Sequence, residues 1–340
     1  MVVTKDVIIG NKTLGPERDV FIVAEAGLNH NGSLAVARDL VRRAAEIGAD
    51  AVKFQSYHTE DFVSKKSDYY QLFKNLELSE SDFADLKKLA DERNIIFLST
   101  PLDLRYVDVL KALDVPAFKI ASGDITFTPL LEAVAKTGKP ILLSTGAATI
   151  GEIYDAMHAL RQHGGDELVL LQCLSAYPAP PEEINLRALV ALKEIFDVPT
   201  GYSDHSIGIE VPLAAVALGA CVIEKHFTLD KKMKGPDHAL SAEPSEFERM
   251  IEAARVIEKS LGNDMKAPMK SEQYDRLDGR RSVVSRTILR KGDRLNSSNI
   301  GYKRPASGID PHFVNLIMGK RIRAEKGEDD QILWSDLLEE

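Results

Sequence analysis

From residue 20 onward, the chain alternates short apolar runs with longer amphipathic stretches. The apolar runs predict β-strands, and the stretches between them carry apolar residues at helical spacing. In the segment 33–47, for example, Ser33 can cap a helix and Gly48 can end it. Strands that alternate with helices favour parallel βα units. The predicted strands are 21–24, 51–54, 95–98, 117–120, 141–143, 168–171, 200–202 and 221–225.

Eight parallel strands can close into a (β/α)8 TIM barrel, which leaves no exposed sheet edge. A doubly wound open sheet is the alternative fold, but it usually carries a glycine-rich phosphate-binding turn. Neither G-x-G-x-x-G nor G-x-x-x-x-G-K-[ST] occurs in the chain. We therefore predict an α/β fold with a TIM barrel, preceded by a hairpin whose strands lie at 7–9 and 13–14.

The pattern changes after a helix predicted over 244–261. A polar, basic connector follows this helix. After it come short apolar segments, which are separated by the turn sequences Lys-Gly-Asp, Lys-Gly-Glu and Asn-Ser-Ser. Short apolar segments between turns predict a small β-rich domain. A chain of 340 residues is long enough for a barrel of roughly 250 residues plus this second domain. The predicted division is 1–265 for the barrel with its hairpin, 266–280 for a linker and 281–340 for the small domain.

Composition narrows the class of protein. Apolar residues make up 44% and charged residues 28%, which indicates a folded chain, and a net charge of −9 argues against a nucleic-acid binder. The first residues lack the apolar core of a secretory signal, and no apolar run approaches the ~20 residues of a membrane span. We expect a cytoplasmic protein in which Cys173 and Cys221 are reduced, buried residues.

Polar clusters follow the predicted strands, at the end where a barrel opens to its active site. Lys53 and Lys119 lie within strands, where they form either an internal salt bridge, for example to Glu25, or a clamp for carboxylate and phosphate groups. The hydroxyls of Ser122, Ser144 and Ser203 would meet at the same rim. These residue types together indicate a site for an anionic substrate.

Two histidines close the last two predicted strands, which are neighbours in a closed barrel. His205 and His226 could hold a divalent metal, and Glu25 and Glu224 could bind it directly or orient its water. Two imidazoles with oxygen donors suit Mn²⁺ or Mg²⁺ better than a structural zinc. Asp237 in a Gly-Pro-Asp-His turn could accept hydrogen bonds from sugar hydroxyls.

These clusters, taken in order, resemble the sialic acid synthase (NeuB) family, which includes the legionaminic and pseudaminic acid synthases. The similarity covers essentially the whole chain, and the segment 281–308 resembles the family's antifreeze-like (SAF) domain. The matching stretches are AEAGLNHNG from residue 24, VKFQ from 52, STPL from 99, KIASGD from 119, LSTG from 143, GYSDHS from 201, IEKHFTLD from 223 and GPDH from 235.

The resemblance implies an enzyme that condenses phosphoenolpyruvate with an N-acyl hexosamine such as N-acetylmannosamine and releases phosphate. It implies a metal, Mn²⁺ or Mg²⁺, on His205 and His226. The implied catalytic set is Glu25, Lys53, Lys119, His205 and His226. The implied substrate-binding set is Gln55, Thr100, Ser122, Asp124, Ser144, Ser175, Tyr177, Ser203, Asp237 and Arg304. The family also implies a homodimer with an exchanged C-terminal domain, in which Arg304 reaches the sugar's N-acyl group.

Alternatives remain both for the acceptor sugar and for the function itself. The Ser-Ala-Tyr-Pro stretch at 175–178 is nearer to some pseudaminate synthases, whereas the GPDH motif favours the neuraminate and legionaminate branches, so the acceptor is either N-acetylmannosamine or a diacetamido hexose. A phosphorylated acceptor would require additional arginines, and the rim motifs contain none. A non-catalytic carbohydrate-binding protein would leave the inward lysines and the paired histidines without a purpose.

Overall fold

A cylinder of eight parallel strands forms the first of two units, which divide the chain between Gly262 and Asn263. The computed structural model describes residues 5–338. The strands are β3 (Phe21–Gly27), β4 (Ala51–Ser56), β5 (Ile96–Pro101), β6 (Phe118–Ile120), β7 (Ile141–Ser144), β8 (Leu168–Cys173), β9 (Thr200–Asp204) and β10 (Val222–His226). Their hydrogen-bonded order is β5-β4-β3-β10-β9-β8-β7-β6, and β5 lies beside β6 to complete the cylinder. The predicted TIM barrel is confirmed.

The amino end of the cylinder is filled with apolar side chains. The predicted hairpin is present as the antiparallel strands β1 (Val7–Ile9) and β2 (Lys12–Leu14). Ile9 and Leu14 are fully buried, and they pack with inward residues of the barrel strands such as Phe21 and Leu142. Because apolar contacts close this end, the polar interior groups are confined to the carboxyl ends of the strands.

The helices pack outside the strands and bury a second, larger apolar layer. Several begin with the capping residues that the sequence supplies: Ser33, Ser79 and Thr149 each accept a hydrogen bond from a first-turn backbone N–H. The helices are α1 (Leu34–Glu46), α2 (Thr59–Phe62), α3 (Tyr70–Leu76), α4 (Glu80–Glu92), α5 (Leu104–Ala112), α6 (Thr128–Ala135), α7 (Ile150–Gln162), α8 (Ala188–Phe196), α9 (Glu210–Ala217) and α10 (Pro244–Leu261).

Seven of the eight barrel strands end one to three residues later than the apolar pattern predicts. Strand β3 continues through Glu25 to Gly27, β4 through Gln55 to Ser56, and β9 through Ser203 to Asp204. The sequence-based boundaries stop where polar residues begin, because burial of polar groups in a strand is usually unfavourable. In the barrel mouth these polar residues pair with one another, so the ladders continue through them.

The second unit has its own small core. Its regular elements are β11 (Ser282–Ser285), β12 (Ile300–Lys303) and α11 (Val314–Ile317), with β11 antiparallel to β12. Val283, Leu289, Leu295 and Ile322 are among the buried residues of this core. Within residues 5–338, no helix has both the length and the apolar character that a bilayer crossing requires. Cys173 and Cys221 are free and buried, as predicted.

Candidate active site

A cavity of about 360 Å³ opens at the carboxyl ends of the barrel strands. Every barrel strand or the loop after it contributes to the wall, as expected for the active-site end of this fold. Thirteen of the side chains that line the cavity carry polar or charged groups: Glu25, Lys53, Gln55, Thr100, Lys119, Ser122, Ser144, Ser175, Tyr177, Ser203, His205, Glu224 and His226. All thirteen were named from the sequence, Glu224 as a possible metal ligand beside Glu25.

Two ammonium and two carboxylate groups meet at the cavity floor. Lys53 Nζ lies 2.7 Å from Glu25 Oε2 and 3.6 Å from Glu224 Oε2, and Lys119 Nζ lies 3.7 Å from Glu224 Oε1. Thr100 Oγ1 accepts a further hydrogen bond from Lys53 at 3.0 Å. The four charged side chains are each at most 6% exposed. The internal salt bridge and the inward-facing lysines are therefore both present, in one cluster.

Strand register produces this cluster. Glu25 is paired across the sheet with Lys53 on one side and with His226 on the other. The register of β3 shifts between Glu25 and Gly27, an irregularity that re-aims side chains. Gly27 has φ +51°, and a Cβ there would stand 3.2 Å from Glu25 Oε1 and 3.5 Å from the His226 ring. Glycine therefore allows the carboxylate and the imidazole to sit close together.

Burial and neighbouring charges shift the ionisation of these groups. Burial raises the pKa of Glu25 above its ordinary value and lowers the pKa of Lys119. Burial also opposes the charged form of Lys53, but Glu224 and Glu25 outweigh it, so the pKa of Lys53 ends above its ordinary value. Lys53 therefore stays charged, whereas Glu25 takes up a proton more readily than an exposed glutamate.

The two histidines lie side by side at the mouth, with ring centroids 5.3 Å apart. His205 Nδ1 lies 2.7 Å from the carbonyl oxygen of Leu174, which fixes the proton on Nδ1 and leaves Nε2 as an acceptor. Buried His226 Nδ1 has no hydrogen-bond partner in the described chain. Burial lowers the pKa of both imidazoles, that of His226 well below its ordinary value, so both rings are neutral near pH 7.

These observations fit a divalent metal. Neutral imidazoles offer lone pairs, and a backbone carbonyl that holds the other ring nitrogen is the usual support of a metal-binding histidine. Carboxylate oxygens are close by, since Asp237 Oδ2 lies 3.9 Å from His226 Nδ1 and Glu224 Oε2 has no hydrogen bond among residues 5–338. Two imidazole nitrogens and several carboxylate oxygens form a donor set that can hold a divalent cation.

Serine hydroxyls and the backbone at Gly146 surround a small space between the two lysines and the loop after β7. The Gly146 N–H donates to Ser122 Oγ at 2.9 Å, and buried Ser144 Oγ has no hydrogen-bond partner in the part of the chain described. A Cβ on Gly146 would stand 2.8 Å from Ser122 Oγ and would also collide with Ser175 Oγ. This space beside two ammonium groups has the size and the donors for a small anion.

The remaining predicted residues occupy three different positions. Tyr177 stands at the rim with its ring 4.1 Å from that of His205, and Asp237 lies beside His226. Asp124 ends a short turn of 3₁₀ helix after β6, outside the cavity wall, where burial raises its pKa to about 6. Arg304 lies in the second unit, directly after β12, and is exposed.

Several wall residues were not singled out from the sequence. Phe62 and Phe73 reach the cavity from α2 and α3, which lie in the long loop after β4, and Leu102 follows β5. Cys173 also lines the cavity, with Sγ 3.8 Å from His205 Nδ1.

A second group of potential metal ligands lies outside the cavity. Atoms of His58, Asp61 and Asp103 lie within 4.8 Å of one another. Asp103 caps α5 through the Tyr106 N–H and also accepts the backbone N–H of His58 at 2.6 Å. These bonds account for the group as a structural junction between two loops.

Comparisons with known proteins agree with this geometry. The sequence profile of the NeuB family matches residues 40–266, and that of the SAF domain matches residues 280–338. An N,N'-diacetyllegionaminic acid synthase from Campylobacter jejuni is 44% identical, over 93% of this chain and 99% of that protein. The human N-acetylneuraminate-9-phosphate synthase is 36% identical, over 94% of this chain and 93% of that protein. A crystal structure of N-acetylneuraminic acid synthetase from Leptospira borgpetersenii, in complex with citrate, has a TM-score of 0.77 and 40% identity, covering 80% of this chain and 95% of that one.

Proposed function

The chain belongs to the NeuB family, and we propose that it condenses phosphoenolpyruvate with an N-acyl hexosamine such as N-acetylmannosamine, releasing phosphate. It is accordingly a transferase that forms a carbon–carbon bond, as the synthases of this family are. The observation that carries the proposal is the meeting of two buried lysines and two neutral imidazoles in a single cavity. One pair suits an anionic donor, and the other suits a metal.

Phosphoenolpyruvate would bind over the cavity floor. The ammonium groups of Lys53 and Lys119 would hold its negative charges, and Ser122 and Ser144 would donate hydrogen bonds to its oxygens. Ser203, whose hydroxyl donates to Glu224 Oε1 at 2.9 Å, would turn from that carboxylate to donate a third. The unpartnered hydroxyl of Ser144 supports this arrangement, because a buried hydroxyl without a partner is costly until a ligand satisfies it. Fixing the donor in this way aligns its C3 with the mouth, where the second substrate enters.

His205 and His226 would hold the divalent metal on which synthases of this family depend, and we propose Mn²⁺ or Mg²⁺. When bound there, the metal would serve as a Lewis acid toward the aldehyde oxygen of the open-chain sugar. Gln55, Tyr177 and Asp237 would orient the sugar around it. The low pKa values of the imidazoles support this assignment, because only neutral rings can bind a metal.

The reaction would form one carbon–carbon bond and one carbon–oxygen bond to water, and it would break one carbon–oxygen bond. C3 of phosphoenolpyruvate attacks the aldehyde carbon, whose oxygen takes up a proton, and the positive charge that develops at C2 is captured by water. The tetrahedral product loses phosphate by cleavage of the C2–O bond, which leaves a 2-keto acid. Glu25 is suited to take the proton from the attacking water, because burial raises its pKa.

The acceptor is best assigned as an unphosphorylated sugar. Lys53 and Lys119 are the only lysine or arginine side chains in the wall of the cavity as described, and both are committed to the donor. A phosphorylated sugar would bring a second dianion without a cation to receive it. The similarity to legionaminic acid synthases supports a diacetamido hexose as the second candidate acceptor.

A panel of acceptors tests the proposed function. Purified protein with Mn²⁺ and phosphoenolpyruvate would be given N-acetylmannosamine, its 6-phosphate, or 2,4-diacetamido hexoses, with release of phosphate and formation of 2-keto acid both measured. We expect equal amounts of the two products with at least one unphosphorylated sugar, and none after chelation of the metal. Absence of turnover with every N-acyl hexosamine would favour a carbohydrate-binding protein.

For the second unit, we propose that Arg304 reaches the N-acyl group of the sugar bound in the partner's barrel of a domain-exchanged homodimer. Its exposed position directly after β12 leaves the guanidinium free to do so. Mixing His226→Ala, which should be inactive, with Arg304→Ala, which should bind the acceptor weakly, tests this arrangement under conditions of subunit exchange and at low acceptor concentration. Exchange between domains predicts that activity returns, because one mixed site has both residues intact. No recovery in proven mixed dimers would contradict it.

A further inference from the structure

A fully buried ion pair lies on the outer face of the two strands that carry the histidines. Lys225 Nζ lies 2.6 Å from Asp204 Oδ2, and the two side chains are 1% and 0% exposed. The residues are register partners on β10 and β9. Because side chains alternate along a strand, Ser203 and Glu224 face the cavity while Asp204 and Lys225 face the helices.

The ion pair also forms hydrogen bonds to the turn that follows β9. Asp204 Oδ1 accepts hydrogen bonds from the backbone N–H of Ser206 at 3.0 Å and from its hydroxyl at 2.7 Å. Lys225 Nζ donates to the carbonyl oxygen of Ser206 at 2.8 Å. His205 lies between Asp204 and Ser206, and His226 directly follows Lys225. One network therefore spans the two segments that present the imidazoles.

Stability alone does not account for charges at this position. The layer between strands and helices is otherwise the main apolar core of the barrel. Burying two ions there carries a desolvation penalty that their attraction often fails to exceed, and apolar residues of similar volume commonly serve as well. What apolar residues would not supply is a directional tie between the turn after β9 and the end of β10.

We propose that Asp204 and Lys225 are positioning residues that fix His205 and His226 at the separation that metal binding requires. This inference rests on the proposed function, since it takes the two imidazoles to be metal ligands. On the cavity side, the carbonyl oxygen of Leu174 supports the His205 ring alone. The outer pair instead holds the backbone of both segments relative to one another.

The test measures Mn²⁺ binding to the metal-free full-length protein by electron paramagnetic resonance titration, together with the melting temperature. Lys225→Met removes one partner, and the double variant Asp204→Leu/Lys225→Met replaces both with apolar side chains. Arg255→Met is the matched control, because it breaks an ion pair with Asp50 and Glu258 elsewhere in the barrel. His226→Ala reports on the metal site itself.

We expect both Lys225 variants to weaken Mn²⁺ binding about 10- to 100-fold, the range for residues that support metal ligands. The double variant should melt at a higher temperature than Lys225→Met, because no charge is left unpaired. Its Mn²⁺ affinity should nevertheless stay low, while Arg255→Met lowers the melting temperature and keeps Mn²⁺ affinity. Should the double variant fail to fold, Asp204→Asn, which keeps the acceptor for Ser206, is judged by the same criterion.

Mn²⁺ affinity of the double variant equal to that of the unmodified protein would overturn the inference. An equal loss of affinity in Arg255→Met would do so as well, since it would reflect stability alone. Failure of the proposed metal site has a different signature. In that case His226→Ala would bind Mn²⁺ as the unmodified protein does, whatever the Lys225 variants show.

Discussion

Replacing Lys53 with methionine removes one ammonium group from the buried cluster of four charges and keeps most of the side-chain volume. The carboxylates of Glu25 and Glu224 then share a single lysine. Breaking a buried ion pair by removing one partner destabilises a protein by about 3–5 kcal/mol. We therefore expect Lys53→Met to lower the free energy of unfolding of the barrel by that amount near pH 7.

The same substitution should weaken the binding of phosphoenolpyruvate. Charge-assisted hydrogen bonds contribute about 1.5–3 kcal/mol each, which corresponds to a factor of about 10 to 150 in Kd. Isothermal titration with phosphoenolpyruvate in the absence of acceptor measures this directly, and urea unfolding measures the stability. Lys139→Met is the matched control, because Lys139 forms an exposed ion pair with Asp114, and it should change neither quantity.

A double variant separates the two roles of Lys53. Glu25→Gln/Lys53→Met removes one charge of each sign, so most of the lost stability should return. Binding of phosphoenolpyruvate should remain weak, because the ammonium group that holds it is still missing. If the double variant binds phosphoenolpyruvate as tightly as the unmodified protein, Lys53 serves to neutralise Glu25 and the reasoning about the donor site is refuted.

Three further predictions concern single residues. His226→Ala should abolish turnover and Mn²⁺ binding with little change in melting temperature, whereas activity that persists in chelated buffer would contradict the metal role. Gly146→Ala should raise the KM for phosphoenolpyruvate at least about tenfold, because its Cβ would collide with the hydroxyls of Ser122 and Ser175; unchanged saturation would show that the anion binds elsewhere. Burial lowers the pKa of His30 in the folded protein to about 4. The imidazole therefore binds a proton more tightly in the unfolded chain, and the free energy of unfolding falls as the pH drops from about 6.5 to 4. His30 should account for a loss of about 2 kcal/mol in the free energy of unfolding between pH 7 and pH 5. Urea unfolding of His30→Asn at both pH values should show this loss missing, whereas an undiminished pH dependence would exclude His30 as its source.

The barrel was predictable because its strands and helices follow two different periods along the chain. Long amphipathic segments such as α10 (Pro244–Leu261) have the bounds that the pattern predicts. Strand ends were less predictable, since residues such as Glu25 and Gln55 continue a ladder only when other strands supply partners. That information lies in the tertiary structure and is absent from any local window of sequence.

The site was predictable to the extent that strand ends carry its chemistry. Lys53, Lys119 and the two histidines could be placed together because parallel strands present their carboxyl ends to one mouth. Phe62 and Phe73 could not be placed, because α2 and α3 lie in a long loop whose path the sequence leaves open. The outward orientation of Asp204, next to an inward histidine, follows from strand alternation only once β9 is known to extend through it.

The fate of the bridging oxygen of phosphoenolpyruvate tests the central claim most directly. The substrate would carry ¹⁸O between C2 and phosphorus, and the reaction would be run with Mn²⁺ and the best acceptor of the panel. Attack of water at C2 within the cavity predicts that the label leaves with inorganic phosphate and that one 2-keto sugar acid forms for each phosphate. Label retained in the keto acid, or phosphate released with pyruvate alone, would contradict the condensation.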